Sequence, residues 1–142
     1  MNPTWLVPLD GSDTALRPID WIVAHAADLR KAPTIHLLNV QPALPQDIGR
    51  FIAAETLREF HREGGEAALA PALARLAAAG MAAQSHVLVG EAAPTIVRFA
   101  TDHACDQILI GTHGHTGLVG TLMGSVAMRV VHLATVPVLL VR

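Results

Sequence analysis

Residues 107–125 read QILIGTHGHTGLVGTLMGS. An apolar run is followed by a glycine-rich turn, and Ser125 then opens a helix-compatible segment that continues to Leu133. Glycines let the backbone come close to a ligand and adopt positive φ, and the free N–H groups and dipole of a helix N-terminus attract an anion. A buried strand, a glycine-rich turn and a helix in this order predict a phosphate cradle in an α/β protein.

Apolar runs alternate with helical patterns along the rest of the chain. Strands are predicted at 5–9, 34–40, 83–89, 108–110 and 136–141, and helices at 14–31, 48–79, 92–104 and 124–133. This alternation predicts parallel pairing with right-handed crossovers. Gly64-Gly65 and Pro71 are expected to kink or split the second helix, and Gly80 to close it.

Length and composition favour one globular domain that spans residues 1–142. Apolar residues make up 51% of the 142 residues and the mean hydropathy is +0.41, so the chain is not a disordered one. No apolar run reaches the roughly 18 residues of a membrane span, and we expect no membrane partner. The first residues have neither the basic start nor the apolar core of a signal peptide.

Charge and cysteine content limit the classes of partner and compartment. The formal net charge is −2, with 10 basic and 12 acidic residues and no basic run, which argues against nucleic acid as a partner. The single cysteine, Cys105, excludes an internal disulfide and suits a reducing cytoplasm. We therefore expect a cytoplasmic location, with Cys105 as a packed thiol.

Polar or glycine-bearing turns follow three of the predicted strands. Asp10-Gly11-Ser12 follows strand 1, Val40-Gln41 follows strand 2 and 111–125 follows strand 4. Open α/β sheets bind ligands outside the carboxyl ends of their strands. If strands 1 and 4 are neighbours, the Asp10 carboxylate can accept from a sugar hydroxyl or base edge while the glycine-rich turn holds phosphates. Asp10 as a simple turn or cap residue is the alternative.

The glycine-rich turn differs from two common nucleotide motifs. It has no lysine before Ser125, and the only lysine of the chain is Lys31, so it is not a Walker P-loop. It also lacks the G-x-G start of a dinucleotide fingerprint and follows strand 4 rather than strand 1.

The spacing Gly111-x2-Gly114-x9-Gly124-Ser125 resembles the ATP-binding signature of the universal stress protein family. The resemblance extends along essentially the whole chain, through Val7–Ser12, His36–Val40, Cys105–Gly114, Gly124–Ala127 and Val136–Arg142. It implies a three-layer α/β/α, Rossmann-like fold of the adenine nucleotide alpha hydrolase-like type, with a five-stranded parallel sheet of order 3-2-1-4-5. It also implies a homodimer through the C-terminal strand, 136–141; a strand covered within one subunit is the alternative.

The resemblance further implies that ATP binds, with Mg²⁺, at positions that match the family motif. Pro8, Leu9 and Asp10 would border adenine and ribose, and Val40 would line the adenine pocket. The ribose and phosphates would be held by Gly111, Gly114, Gly124, Ser125 and Val126, with Ile110, Thr112 and His113 in the same set. Many relatives carry basic residues near His115, Val119 and Gly120, whereas this chain offers only a histidine there.

The resulting functional hypothesis is an ATP-dependent switch or adaptor in stress response, with an unidentified protein partner and no assigned catalytic residue. The alternative is a slow ATPase or autophosphorylating enzyme that uses Ser125, His113, Thr112 and Asp10. A third possibility is an interaction domain whose cradle is empty or takes AMP or cyclic AMP.

Other reactive groups fit other sites poorly. His113 and His115 have no third metal ligand nearby in sequence, so no metal site is predicted. Ser125, His103 and Asp102 lack the G-x-S-x-G turn of a hydrolase triad. The other six histidines are expected to be surface or satisfied structural residues.

Overall fold

The computed structural model describes residues 2–112 and 123–142. In these residues the strands are β1 (Thr4–Pro8), β2 (Thr34–Gln41), β3 (Gln84–Val89), β4 (Gln107–Gly111) and β5 (Val138–Val141). The α-helices are α1 (Arg17–His25), α2 (Gln46–Gly49), α3 (Ala54–Ala78), α4 (Ala92–Asp102) and α5 (Ser125–Leu133), and short 3₁₀ turns occur at Thr14–Leu16 and Ala26–Asp28.

The strands form one parallel sheet in the order β3-β2-β1-β4-β5. At its centre, Leu6 of β1 lies between His36 of β2 and Ile108 of β4. The expected strand order and three-layer Rossmann-like fold are therefore confirmed.

The alternation of side chains along β1 explains the two helical layers. Trp5 and Val7 belong to a core formed with α1 and α3, whereas Leu6 belongs to a second core formed with α4 and α5. Successive side chains of a strand point to opposite faces of the sheet, so one apolar run supplies both cores. This arrangement leaves the carboxyl ends of the strands between the two layers.

Helix α3 corrects the predicted helix over 48–79. The segment begins with the single turn α2, is interrupted at 50–53, and then runs without a break from Ala54 to Ala78. Of the predicted kink or split at Gly64-Gly65 and Pro71, the split is therefore wrong. Pro71 lies on the exposed side of α3, where water can reach the carbonyl group that loses its helical partner.

Close packing of α3 on the sheet accounts for the two glycines inside it. A Cβ atom at Gly65 would overlap both methyl groups of Val87 on β3, and one at Gly64 would lie 2.8 Å from Gln41 Oε1 on β2. Glycine therefore serves here to bring the helix close to the sheet, not to end it.

The end of α3 follows the prediction. Gly80 has φ +73°, its N–H donates to the carbonyl oxygen of Ala77, and the Met81 N–H donates to that of Leu76. These two bonds form a Schellman motif, in which glycine tolerates the left-handed conformation.

Several other bounds differ from the predictions by a few residues, and two of them are of interest here. Helix α1 ends at His25 and continues only as a 3₁₀ turn to Asp28, so Lys31 lies beyond it and not at its end. The last strand begins at Val138 instead of residue 136; the Pro137 carbonyl oxygen still accepts from the Ile108 N–H. In residues 2–112 and 123–142, no helix is long and apolar enough to cross a membrane.

Candidate functional site

A cleft opens at the carboxyl ends of β1, β2 and β4. It lies where the chain order of the sheet reverses, because β1 has β2 on one side and β4 on the other. Ligands of open α/β sheets bind at such a crevice. Ten residues predicted to bind nucleotide line it: Pro8, Leu9, Asp10, Val40, Ile110, Gly111, Thr112, Gly124, Ser125 and Val126.

The other two positions predicted to bind nucleotide, His113 and Gly114, lie outside the described residues. Five small or apolar residues line the cleft although sequence reasoning did not name them: Ala15, Leu38, Ala92, Ile96 and Ala127. Leu38 had a local signal, because it lies two residues before Val40 on the same face of β2.

The turn after β1 orients the Asp10 carboxylate. The Ser12 N–H and Oγ both donate to Asp10 Oδ1, over 2.9 and 2.5 Å, and Gly11 adopts φ +88° between them. Ser12 Oγ also accepts from the Ala15 N–H at 3.3 Å, in the 3₁₀ turn that follows β1. The turn and ligand readings of Asp10 are thus compatible, because the carboxylate that closes the turn also lines the cleft.

The buried side-chain amide of Asn39 on β2 anchors the start of the same turn. Asn39 Nδ2 donates to the Leu9 carbonyl oxygen at 2.8 Å, and Asn39 Oδ1 accepts from Gln41 Nε2 at 2.6 Å. Asn39 is only 3% exposed, and buried amides are costly unless they are hydrogen-bonded. Sequence reasoning did not name Asn39, although a polar residue inside an apolar strand was the available signal.

The backbone closes around the cleft at two glycines. A Cβ atom at Gly111 would lie 2.5 Å from the Thr14 carbonyl oxygen, so the end of β4 touches the 3₁₀ turn that follows β1. The Gly124 N–H donates to the Thr112 carbonyl oxygen, which joins the end of β4 to the start of α5.

The first turn of α5 gives the cleft its capacity for anions. Gly124 is the N-cap residue and makes no side-chain capping bond, while Ser125, Val126 and Ala127 follow it at the cleft. The first N–H groups of a helix have no helical acceptor, and they attract negative charge. The described lining contains no lysine or arginine, and Asp10 is its one acidic residue.

An ion pair joins the two helices beside the cleft. Arg129 Nη1 contacts Glu91 Oε1, which links α5 to the N-cap residue of α4; the side chains are 53% and 66% exposed. Arg129 lies one helical turn beyond Ser125 and is the cation that sequence reasoning missed. Its exposure and its partner leave the described wall of the cleft without a positive side chain.

The other sequence candidates lie elsewhere. Asp102 and His103 lie at the carboxyl end of α4 and do not line the cleft with Ser125. His115 is outside the described residues, within which no three His, Cys, Asp or Glu side chains are grouped to hold a metal ion. Cys105 is 4% exposed, and burial, aided by Asp106, raises the pKa of its thiol.

Three histidines form a group that sequence reasoning did not anticipate. His36, His86 and His103 meet around Phe99, with ring centroids 5.2–5.6 Å apart from one another. They come from β2, β3 and the residue after α4. Because these elements are far apart in sequence, no local sequence pattern predicts the contact.

Known proteins are similar to this chain in sequence and in fold. The sequence model described as the Universal stress protein family matches residues 1–142. A universal stress protein of Methanocaldococcus jannaschii is 34% identical over 144 residues, which cover 96% of this chain and 80% of that protein.

Two solved structures have a fold similar to that of this chain. The hypothetical protein MJ0577 superposes with a TM-score of 0.83 at 28% identity, covering 99% of this chain and 96% of that chain. A universal stress protein in complex with cAMP superposes with a TM-score of 0.71 at 27% identity, covering 99% and 97%.

Proposed function

This chain belongs to the universal stress protein family, and from that premise we propose that its cleft binds ATP and that the bound nucleotide sets the state of a switch or adaptor in stress response. One observation carries the proposal: Asp10, Val40, Gly111 and Gly124-Ser125 line a single cleft, although they come from distant parts of the chain. The similar protein in complex with cAMP supports an adenine nucleotide as the ligand class.

Each part of the nucleotide has a chemically suitable wall. Leu38, Val40 and Ile96 offer an apolar slot for the base. Asp10 offers an acceptor, already oriented by Ser12, for ribose hydroxyls. The start of α5 offers N–H donors for phosphates.

ATP is expected to be held rather than rapidly consumed. Fast phosphoryl transfer depends on positioned cations and an oriented nucleophile, and the described lining has neither lysine nor arginine. Mg²⁺ bound with ATP would balance phosphate charge. The chain itself would supply the N–H donors of α5 and the shape of the cleft, and hydrolysis at this site would be slow.

We further propose a homodimer through the C-terminal strand. β5 is an edge strand in the described sheet, and the four residues Val138–Val141 are all half-buried. Next to it, α5 exposes Met128, Val131 and Leu133. An apolar strand at the edge of a sheet favours pairing with another chain.

Calorimetric titration of Mg-ATP tests the binding proposal, with Ser125→Asp as the decisive variant. Aspartate in the first turn favours the helix, so the fold should persist while its carboxylate repels the phosphates. We expect at least a tenfold loss of affinity, equivalent to about 1.4 kcal/mol. The control is Ser85→Asp, because Ser85 is exposed on β3 and does not line the cleft. Absence of saturable binding, or equal affinity in both variants, contradicts the proposal.

Hydrogen exchange with and without Mg-ATP tests the switch. A ligand shifts a protein between states only when it binds them with different affinity. We expect changed protection in segments that do not touch the cleft. Changes confined to the lining residues would show a binder that is not a switch.

Sedimentation equilibrium tests the dimer, with Leu140→Pro as the variant. The Pro137 carbonyl oxygen faces β4, so alternation along a parallel strand turns the Leu140 N–H towards the open edge. Proline removes that donor without removing a bond to β4 and should yield monomers, whereas Leu140→Val should remain dimeric. A monomeric wild-type protein contradicts this part of the proposal.

A further inference from the structure

A cluster of three imidazoles lies at the far end of the two elements that form the cleft. His36 Nδ1 lies 3.0 Å from His86 Nε2. His103 stacks on Phe99 with centroids 3.7 Å apart and planes inclined by 12°, and the His86 ring lies 4.7 Å from the Phe99 ring. The cluster thus joins β2 and β3 to the carboxyl end of α4.

The bond between His36 and His86 depends on the protonation of both rings. A hydrogen bond between two ring nitrogens needs one N–H and one lone pair, so the contact is lost if both imidazoles become cationic. His36 is 7% exposed. Burial, followed by the neighbouring imidazoles, lowers the pKa of His36 and of His86.

The side chains that act electrostatically on the His36–His86 pair are themselves imidazoles. The electrostatic influences on His36 come from His86 and His103, and that on His86 comes from His103. The Phe99 carbonyl oxygen accepts from His103 Nδ1 at 3.1 Å. None of the described ion pairs includes one of the three histidines. Additional protons therefore create like charges side by side.

Two elements lead from the cluster to the cleft. Along β2, His36, Leu38 and Val40 share one face of the sheet. Leu38 and Val40 line the cleft, and both lie within about 13 Å of His36 along the strand.

Phe99 and His103, the C-cap residue of α4, lie three and seven residues after Ile96, so the three residues share one side of the helix. Ile96 lines the cleft while Phe99 and His103 contact the other histidines. The position of α4 on the sheet therefore affects both the cleft and the histidine cluster.

We propose that His36, His86 and His103 form a proton-sensitive regulatory site that weakens nucleotide binding in acid by loosening the contact of α4 with β2 and β3. This inference rests on the proposed function, because it regulates the same cleft. When both His36 and His86 carry a charge, their bond is replaced by repulsion, α4 separates from the sheet at Phe99, and the Ile96 wall shifts away from the base.

The test is Mg-ATP affinity measured by calorimetry at pH 7.5 and pH 5.5. The wild-type protein is compared with His86→Gln, which removes one member of the His36–His86 pair while retaining hydrogen-bonding groups, and with His103→Gln, which leaves that pair in place. The control is His25→Gln, since His25 lies on α1 against the opposite face of the sheet. Terminal phosphates also titrate near pH 6, but the same ligand faces every variant, so its own titration cancels in the comparison.

We expect the wild-type, His25→Gln and His103→Gln proteins to lose at least about fivefold more affinity in acid than the His86→Gln protein, in the ordinary range of coupling between two sites. Identical pH profiles in all four proteins overturn the inference.

A readout without nucleotide separates this inference from the proposed function. In NMR titrations, the Ile96 methyl resonances should shift in step with the His36 and His86 imidazoles, and the His86→Gln substitution should remove that shift. Absence of ATP binding at pH 7.5 contradicts the proposed function alone. If the Ile96 methyl resonances do not shift while the His36 and His86 imidazoles titrate, the coupling between the histidine cluster and the cleft is contradicted.

Discussion

Asn39 Nδ2 donates a hydrogen bond to the carbonyl oxygen of Leu9 over 2.8 Å, across the carboxyl ends of two neighbouring strands. The Leu9 N–H in turn donates to the Leu38 carbonyl oxygen at 2.8 Å. Leu9 is thus held on both of its backbone polar groups, one residue before Asp10 reaches the cleft. The amide on β2 therefore determines where the turn after β1 begins.

Replacing this amide should weaken both the fold and the nucleotide site. In Asn39→Leu the buried Leu9 carbonyl group loses its partner, which should lower the free energy of unfolding by about 1–3 kcal/mol. Because the turn then loses its anchor, affinities for adenosine and for ATP should fall by the same factor. Urea unfolding and calorimetry measure the two effects. Gln84→Leu, at an exposed position of β3, is the control and should alter neither.

Replacing the carboxylate tests the role of Asp10 with little change to the turn. Asn can still accept from Ser12, so Asp10→Asn should fold normally, but it removes a charged acceptor for ribose hydroxyls. Bonds to charged groups contribute about 1.5–3 kcal/mol, so ATP affinity should fall by roughly tenfold or more. Asp13→Asn, in the same segment but outside the cleft lining, should bind as the wild type does. Equal affinities for both variants would falsify the assignment.

The close approach of α3 to the sheet can be tested with two alanine substitutions. In Gly65→Ala the new Cβ overlaps Val87, and such overpacking should cost about 1–3 kcal/mol of the free energy of unfolding. A Cβ at Gly49 meets nothing within 4 Å, so Gly49→Ala should be neutral or slightly stabilising. Chemical denaturation distinguishes the two, and a destabilised Gly49→Ala with an unchanged Gly65→Ala would contradict the packing argument.

Ala104 occupies a backbone position that favours glycine. It has φ +50° at the end of α4, where the Cys105 N–H donates to the Ala100 carbonyl oxygen at 2.8 Å, as in a Schellman motif. The left-handed conformation costs a residue with a Cβ roughly 1–2 kcal/mol, so Ala104→Gly should raise the melting temperature.

The matched reverse substitution is Gly80→Ala. Gly80 has φ +73° in the same type of motif, and a Cβ atom added there would meet nothing within 4 Å, so only backbone strain should act. It should lower stability by a similar amount, measured by the same thermal unfolding. A lower melting temperature for Ala104→Gly would show that packing, not backbone conformation, decides that position.

Stability should fall as the pH drops below about 6.5. The folded protein holds the pKa of His36 and of His86 below the ordinary value of 6.5. At a pH between the pKa in the folded protein and 6.5, the unfolded chain therefore binds more protons than the folded chain. Acid therefore favours unfolding, with a slope of up to about 1.4 kcal/mol per pH unit for each group. Urea unfolding from pH 8 to 5.5 measures the slope. It should be shallower in His86→Gln and unchanged in His25→Gln.

The sequence predicted the cleft better than it predicted the helices around it. Asp10, Val40 and Gly124 follow or open elements whose apolar patterns are clear, and the parallel topology brings such positions to one edge of the sheet. The split predicted at Gly64-Gly65 was wrong because helix propensity is a local quantity, while contact with Val87 and Gln41 comes from β3 and β2.

The histidines show the same limit for side-chain chemistry. His36 and His86 are 50 residues apart, and neither of their strands contains a second histidine. Their hydrogen bond arises only when β2 and β3 pair in the observed register, and His103 joins them only when α4 packs on that face.

Periodicity, glycine positions and the acidic turn were sufficient to recognise an α/β fold and the strand ends that form its cleft, because these features depend on residues close together in the chain. Which polar groups face one another across the core depends on how the helices pack on the sheet. This packing is the result of many small contacts between residues that are distant in sequence. For this reason, the Asn39–Leu9 bond and the histidine cluster became visible only in three dimensions.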